Sequence, residues 1–268
     1  MSIDIAALAD DLQAEHDDLI SAIRSSTVDP WLIATPAEGW TVRDQLAHLA
    51  HFDEVAAVAI TDPARFAMLR ESVIDDIQGH VDAMVVEGRA RPADELIDWA
   101  DAARTALVAA IVAADPATRV PWFGPDMTIA SQATARIMET WAHGQDIVDG
   151  LGVERSATPR LRHVAHIGAR AMANSFRTHG LPEPVESVRV ELVAPDASIW
   201  TWGDEGAVDI VRGSAFDFCL VVTQRRHLDD TDLSVDGPVA RQWIAIAQAF
   251  AGPAGTGRAS GQFARTRR

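Results

Sequence analysis

The feature that most constrains this chain is a change of hydrophobic period part-way along it. Through the first 150 or so residues, apolar side chains recur at helical spacing. Ile5, Leu8, Leu12, Leu19 and Ile23 form one such stripe over residues 3–25, interrupted by Glu15 and His16. A loop, STVDPWLIATPAEGW, follows. Thr41 then opens a second helix with Asp44 three residues on, a capping-box-like start, and the helix runs to about Ile60. Thr61-Asp62-Pro63 starts a third, to about Glu87. Arg91-Pro92 restarts another, to about Ala114. DPATRVPWFGPDM, with three prolines and a glycine, reads as a loop, and a helix over about 128–149 ends at Gly150 and Gly152.

After one more helix at 159–178 the period becomes two. In VESVRVELVAP, Val188, Val190 and Leu192 alternate with Arg189 and Glu191, as in a half-buried strand. SIWTWG and AVDIVRG read as further strands, 214–226 and 238–250 as helices, and TDLSVDG as a short strand. The expected fold class is α+β: a four-helix bundle at 1–155, a smaller α+β domain at 156–252, and a loose tail at 253–268.

Composition removes several functions. A net charge of −16 disfavours general nucleic-acid binding. All basic residues are Arg, so lysine Schiff-base chemistry is excluded. The single cysteine, Cys219 in FDFCLVV, permits neither an intrachain disulfide nor a cysteine-based zinc cluster, and reads as a small buried hydrophobe. No apolar run is long enough to span a membrane, and the acidic N-terminus does not resemble a secretory signal. A cytoplasmic protein is the expectation.

The candidate chemistry lies in histidine. On its helical wheel His48 shares a side with Phe52 and Val55, whereas His51 falls beside Arg43 and Glu54. His48 is therefore expected to point inward and His51 not. An inward His alone is ordinarily a hydrogen-bonded core residue. Glu139 and His143 stand four apart, on a face shared with Gln132, Arg136 and Asp146. That face is either a solvated polar stripe or, if His48 meets it, a site with two His and one carboxylate. Such a donor set suits a divalent metal with one position left open. Asp146 is then either a supporting partner one turn beyond His143 or a water-facing acid. His163 and His166 read as surface or packing residues, and GPAGTG as a linker.

GWTVRDQLAHLAHFDE, followed about ninety residues later by ETWAHGQDIVDGLG, resembles the mycothiol-dependent maleylpyruvate isomerase family over about residues 5–155. The resemblance implies a DinB-like four-helix bundle with His48, Glu139 and His143 as metal ligands. Zn is the expected ion, and Ni or Fe suits the same donors. It also implies a metal-dependent enzyme using mycothiol for isomerisation or thiol transfer on a small electrophilic substrate. GSAFDFCLVVTQRR resembles the family's sterol-carrier-protein-2-like domain through Gly213, Asp217 and Arg225, although LVVTQR stands where the family has LWLWGR. Arg225 is thereby implied to bind substrate; the alternative is that it caps its own helix. A non-catalytic protein binding a metal or a small hydrophobic ligand is the competing reading. The expected partners are a small-molecule substrate and a thiol, with neither nucleic acid nor membrane; a homodimer stays open.

Overall fold

A computed structural model describes residues 4–263, in two compact units that meet in sequence at Arg155 and Ser156. The first unit is helical: α1 (Ile5–Arg24), α2 (Val42–Thr61), α3 (Pro63–Val73), α4 (Ile77–Ala90), α5 (Ala93–Ala113) and α6 (Ile129–Leu151). Helices α1, α2, α5 and α6 form the four-helix bundle. The second unit holds α7 (Leu161–Arg170), α8 (Met172–Thr178), β3 (Val188–Val193), β4 (Ile199–Trp202), β5 (Asp209–Ser214), α9 (Ala215–Val222), β6 (Ser234–Asp236) and α10 (Pro238–Ile246). The chain is thus α+β, as the change of period predicts. Among the described residues, no helix is long and apolar enough to cross a membrane.

Helix α2 is the hub of the bundle and is buried along most of its length. Its start is fixed by Asp44, whose Oδ2 accepts from the Thr41 backbone N–H at 2.9 Å and the Thr41 hydroxyl at 3.0 Å. Arg89 of α4 adds a bidentate pair, Nε and Nη2 each 2.8 Å from the carboxylate. Burial opposes ionisation of Asp44, but the bonds from Arg89 and Thr41 outweigh it and hold the carboxyl below its ordinary range.

Besides a small cluster of Val55, Ala59 and Phe66, the bundle core has two larger apolar clusters. One contains Leu19, Ile23, Leu46, Leu49, Leu96 and Ile147; the other contains Leu8, Leu12, Ala56, Leu107, Ile129 and Ile137. Along α2 Asp53 falls between them, and along α5 so does Arg104. Asp53 accepts from Arg104 Nε at 2.7 Å and from Arg136 Nε of α6 at 2.9 Å. Arg104 also donates to the Leu12 carbonyl of α1 at 2.9 Å and to the Thr140 hydroxyl of α6 at 2.8 Å. One carboxylate thereby ties all four bundle helices.

The interruptions in the α1 stripe have partners too. Glu15 pairs with Arg155, whose Nη1 also donates to the Trp141 carbonyl at 2.7 Å. His16 Nε2 lies 2.7 Å from Asp101 of α5. Burial, then the Arg104 charge, lowers its pKa, so the contact is a neutral imidazole donating to a carboxylate.

Several boundaries differ from the sequence reading. The helix expected from 63 to 87 is two, because Asp76 turns to cap α4, its Oδ1 accepting from the Gly79 N–H at 2.8 Å. The helix at 159–178 breaks at Ala171, whose N–H is shared by the carbonyls of Ile167 and Gly168. The loop before α6 contains a short antiparallel hairpin, β1 (Arg119–Val120) with β2 (Met127–Thr128). Helices α9 and α10 are both shorter than expected. At α9, Gln224 enters the left-handed region at φ 61°, and the N–H groups of Arg225 and Arg226 turn back to the Leu220 carbonyl.

The second sheet runs β4-β3-β5-β6, with β3 antiparallel to β4 and parallel to β5. Val188, Val190 and Leu192 face the core, as their alternation predicts. Gly168 lets α7 lie against α9: a Cβ there would sit 2.6 Å from Val222 Cγ2. Residues 253–263 carry no helix or strand, and two of their backbone N–H groups bond to side chains earlier in the unit. Gly255 N–H donates to Gln248 Oε1 at 3.0 Å and Gly261 N–H to Asp230 Oδ1 at 2.8 Å. The rest of the expected tail, 264–268, lies outside the described residues.

Asp53→Ala would leave two buried guanidinium groups without their shared carboxylate. A loss of about 3–5 kcal/mol is expected in denaturant unfolding. A loss under about 1 kcal/mol would show that the clamp is not what holds the bundle.

Candidate metal centre

His48 comes from α2, Glu139 and His143 from α6. The three offer one ligand atom each, and these atoms all lie within 4.8 Å of one another. His143 Nε2 is 3.3 Å from Glu139 Oε2. The rings of His48 and His143 are 4.4 Å apart at their centroids. Trp40 borders both, 5.4 Å from His48 and stacked at 6.0 Å on His143, and Phe52 lies 4.6 Å from His48. All three donors are half-buried, with 14% of the His143 side chain and 24% of Glu139 exposed. They are sheltered by aromatic rings and still reachable from solvent.

The polar stripe on α6 does not face bulk water. Gln132, Arg136 and Asp146 are all buried. Arg136 belongs to the Asp53 clamp, and burial rules out the water-facing alternative for Asp146.

The orientation of His143 is set by a residue the sequence did not single out. His143 Nδ1 lies 2.6 Å from Gln45 Oε1. A carbonyl oxygen only accepts, so Nδ1 carries the proton and Nε2 keeps its lone pair on the side of Glu139. The amide of Gln45 is itself fixed: its Nε2 donates to the Thr35 hydroxyl at 2.9 Å, and that hydroxyl donates to the Trp40 carbonyl at 3.0 Å. A Trp40–Thr35–Gln45 relay thus selects the His143 tautomer. The supporting partner sought in Asp146 is, at His143 Nδ1, Gln45. Nothing in helical spacing could pair residues 98 positions apart.

His51 does not lie on an open charged face, as its wheel suggests. Helix α4 covers that side, and His51 Nε2 lies 3.0 Å from His80 Nε2. A wheel shows the sides of one helix and not what packs against them.

Arg225 belongs to the second unit, where its Nη1 donates to the carbonyl of Thr223, the C-cap of α9, at 2.6 Å. That contact fits the capping reading. Gly213 and Asp217 serve the fold: Gly213 has φ 152° with Leu233 against it, and Asp217 accepts from the Asp232 N–H. His166 Nδ1 accepts from Trp202 Nε1 at 3.2 Å, a packing contact. Cys219 is fully buried. A polar cleft of about 500 Å³ lined by Gln13, Asp17, Arg24 and Asp101 contains none of the three donors.

Because Gln45 supplies the acceptor, Gln45→Leu should remove the tautomer preference of His143. Ring ¹⁵N chemical shifts report this directly, and unchanged shifts in the variant would contradict the relay.

Comparison with known proteins agrees with this architecture. Residues 12–148 match the model of the mycothiol maleylpyruvate isomerase N-terminal domain. Two uncharacterized proteins of Mycobacterium tuberculosis, from strains CDC 1551 / Oshkosh and ATCC 25618 / H37Rv, are each 46% identical over 249 residues, covering 92% of this chain and 96% of the relative. The crystal structure of the mycothiol-dependent maleylpyruvate isomerase superposes with a TM-score of 0.58 at 14% identity, covering 84% of this chain and 90% of that one. A mutant of the enzyme superposes with the same TM-score and identity, covering 88% and 95%. At that identity the likeness speaks for the fold alone. The family match spans the bundle from α1 to α6, and on it the chain belongs to the mycothiol maleylpyruvate isomerase N-terminal domain family.

Proposed function

We propose that this protein is a metal-dependent enzyme that brings a low-molecular-weight thiol, mycothiol, to a small electrophilic substrate, for isomerisation or thiol transfer. The observation that carries the reading is the convergence of His48, Glu139 and His143 within 4.8 Å, with the His143 tautomer set from outside by Gln45. Two imidazole nitrogens and one carboxylate oxygen suit a divalent ion of the zinc type, and three protein ligands are the number that leaves a coordination position for a small molecule. The half-buried setting supports a catalytic over a closed structural site, since a substrate group must reach the donors.

When bound, the ion lowers the pKa of a thiol that reaches it, making the thiol nucleophilic at neutral pH. The chain's own residues do the rest. Gln45 holds His143 with Nε2 turned inward, and the Asp53 clamp holds α2 and α6 in the register that brings His48 to Glu139 and His143. Trp40 and Phe52 limit water at the donors. The thiol has to come from a cosubstrate, since Cys219 is buried. Arg225, implied by the resemblance to bind substrate, has one guanidinium nitrogen on the Thr223 carbonyl at the end of α9.

Elemental analysis of the purified protein tests the ligand set. His48→Ala and His143→Ala should each lose one metal equivalent relative to wild type, and Gln45→Leu should weaken retention by about 10–100-fold. Full retention by both His variants would sink the assignment.

A further inference from the structure

The bundle contains a second pair of imidazoles that the proposed thiol chemistry does not use. His51 of α2 and His80 of α4 meet with their Nε2 atoms 3.0 Å apart. Two nitrogens at that distance share at most one proton between them, so at least one presents a lone pair to the other. The same spacing is what one metal ion imposes on two adjacent imidazoles. With metal–nitrogen bonds of 2.0–2.1 Å, cis ligands lie about 2.9 Å apart at a right angle and about 3.3 Å apart at the tetrahedral angle.

The surroundings favour the neutral, ligating form of both rings. Burial, then the charge of His80, pulls His51 down to about 4, and burial lowers His80. Arg136 acts on His51 in the same sense, while Glu87 of α4 opposes it. Aromatic rings border the pair: Phe52 is 5.3 Å from His51 and 6.4 Å from His80, and Phe123 is 6.5 Å from His80. Glu87, two turns along α4 from His80, is a carboxylate within electrostatic reach of His51, at present paired with Arg91.

We propose that His51 and His80 form a second metal site, distinct from His48, Glu139 and His143, taking a late first-row divalent ion through two Nε2 atoms. Imidazole nitrogens suit the late first-row ions, whose affinity for such donors peaks at Cu²⁺. Binding there would staple α4 to α2. The site stands independently of the proposed thiol chemistry, because neither histidine belongs to its donor set.

The test is equilibrium dialysis of the full chain against Ni²⁺ and, separately, Cu²⁺ at neutral pH. Wild type should hold one equivalent more than His80→Ala and His51→Ala. His143→Ala, disabled at the other centre, should keep this equivalent, and its Cu²⁺ complex should show electron paramagnetic resonance coupling to two nitrogens. That coupling should vanish in His143→Ala/His80→Ala. His80→Gln, a polar replacement without an imidazole, guards against misfolding: a folded His80→Gln protein should also lose the equivalent. Equal metal content in wild type and folded His80→Gln would overturn the proposal and leave the pair as an ordinary N–H···N bond. Loss of metal by His48→Ala and His143→Ala is a separate outcome and bears only on the first centre.

Discussion

Asp53 is the residue on which the first unit turns. Its carboxylate accepts from Arg104 and Arg136 in the interior, and Arg104 extends the network to α1 and back to α6. Burying three charges is costly, and replacing such a group by apolar side chains is often neutral or favourable in stability alone. A polar clamp offers something an apolar layer does not, which is register. Leucines on neighbouring helices tolerate sliding, whereas a carboxylate between two guanidinium groups has one good position. Asp53 lies five residues beyond His48, and Arg136 three residues before Glu139. The bond joining them therefore also fixes the height at which the three candidate ligands meet.

Around those donors the same logic works at finer scale. The Trp40–Thr35–Gln45 relay sets one proton, on His143 Nδ1, and so directs one lone pair. Thr35 and Trp40 come from the segment before α2, the loop that the sequence marks only by its Pro and Gly content. That segment is tied back on itself through backbone bonds between Thr35 and Trp40 and between Val42 and Ile33. A surface connection thus acts as the outer support of the site.

What the sequence revealed, and what it hid, follows from the range of each interaction. Helical spacing found the bundle helices, and the alternation of Val188, Val190 and Leu192 found β3, because those patterns are local. The breaks at Asp76 and Ala171 leave no mark on the hydrophobic period, since one rests on the Asp76 side chain capping the Gly79 N–H and the other on the Ala171 N–H shared between two carbonyls. The meeting of His48 with Glu139 and His143 was suggested by family resemblance, not by the wheels, which left the α6 stripe open to water. Gln45, His80 and the Asp53 clamp had no signal at all. Each depends on which helix lies against which, and a single helix carries no record of its neighbours.

If His48, Glu139 and His143 hold an ion to which a thiol has access, the thiol sulfur should become its ligand. The most direct measurement is the absorption spectrum of the protein loaded with Co²⁺ in place of its own ion, recorded while mycothiol is added. A saturable sulfur-to-cobalt charge-transfer band, abolished in His143→Ala, is the predicted result. A spectrum unmoved by saturating thiol would contradict it.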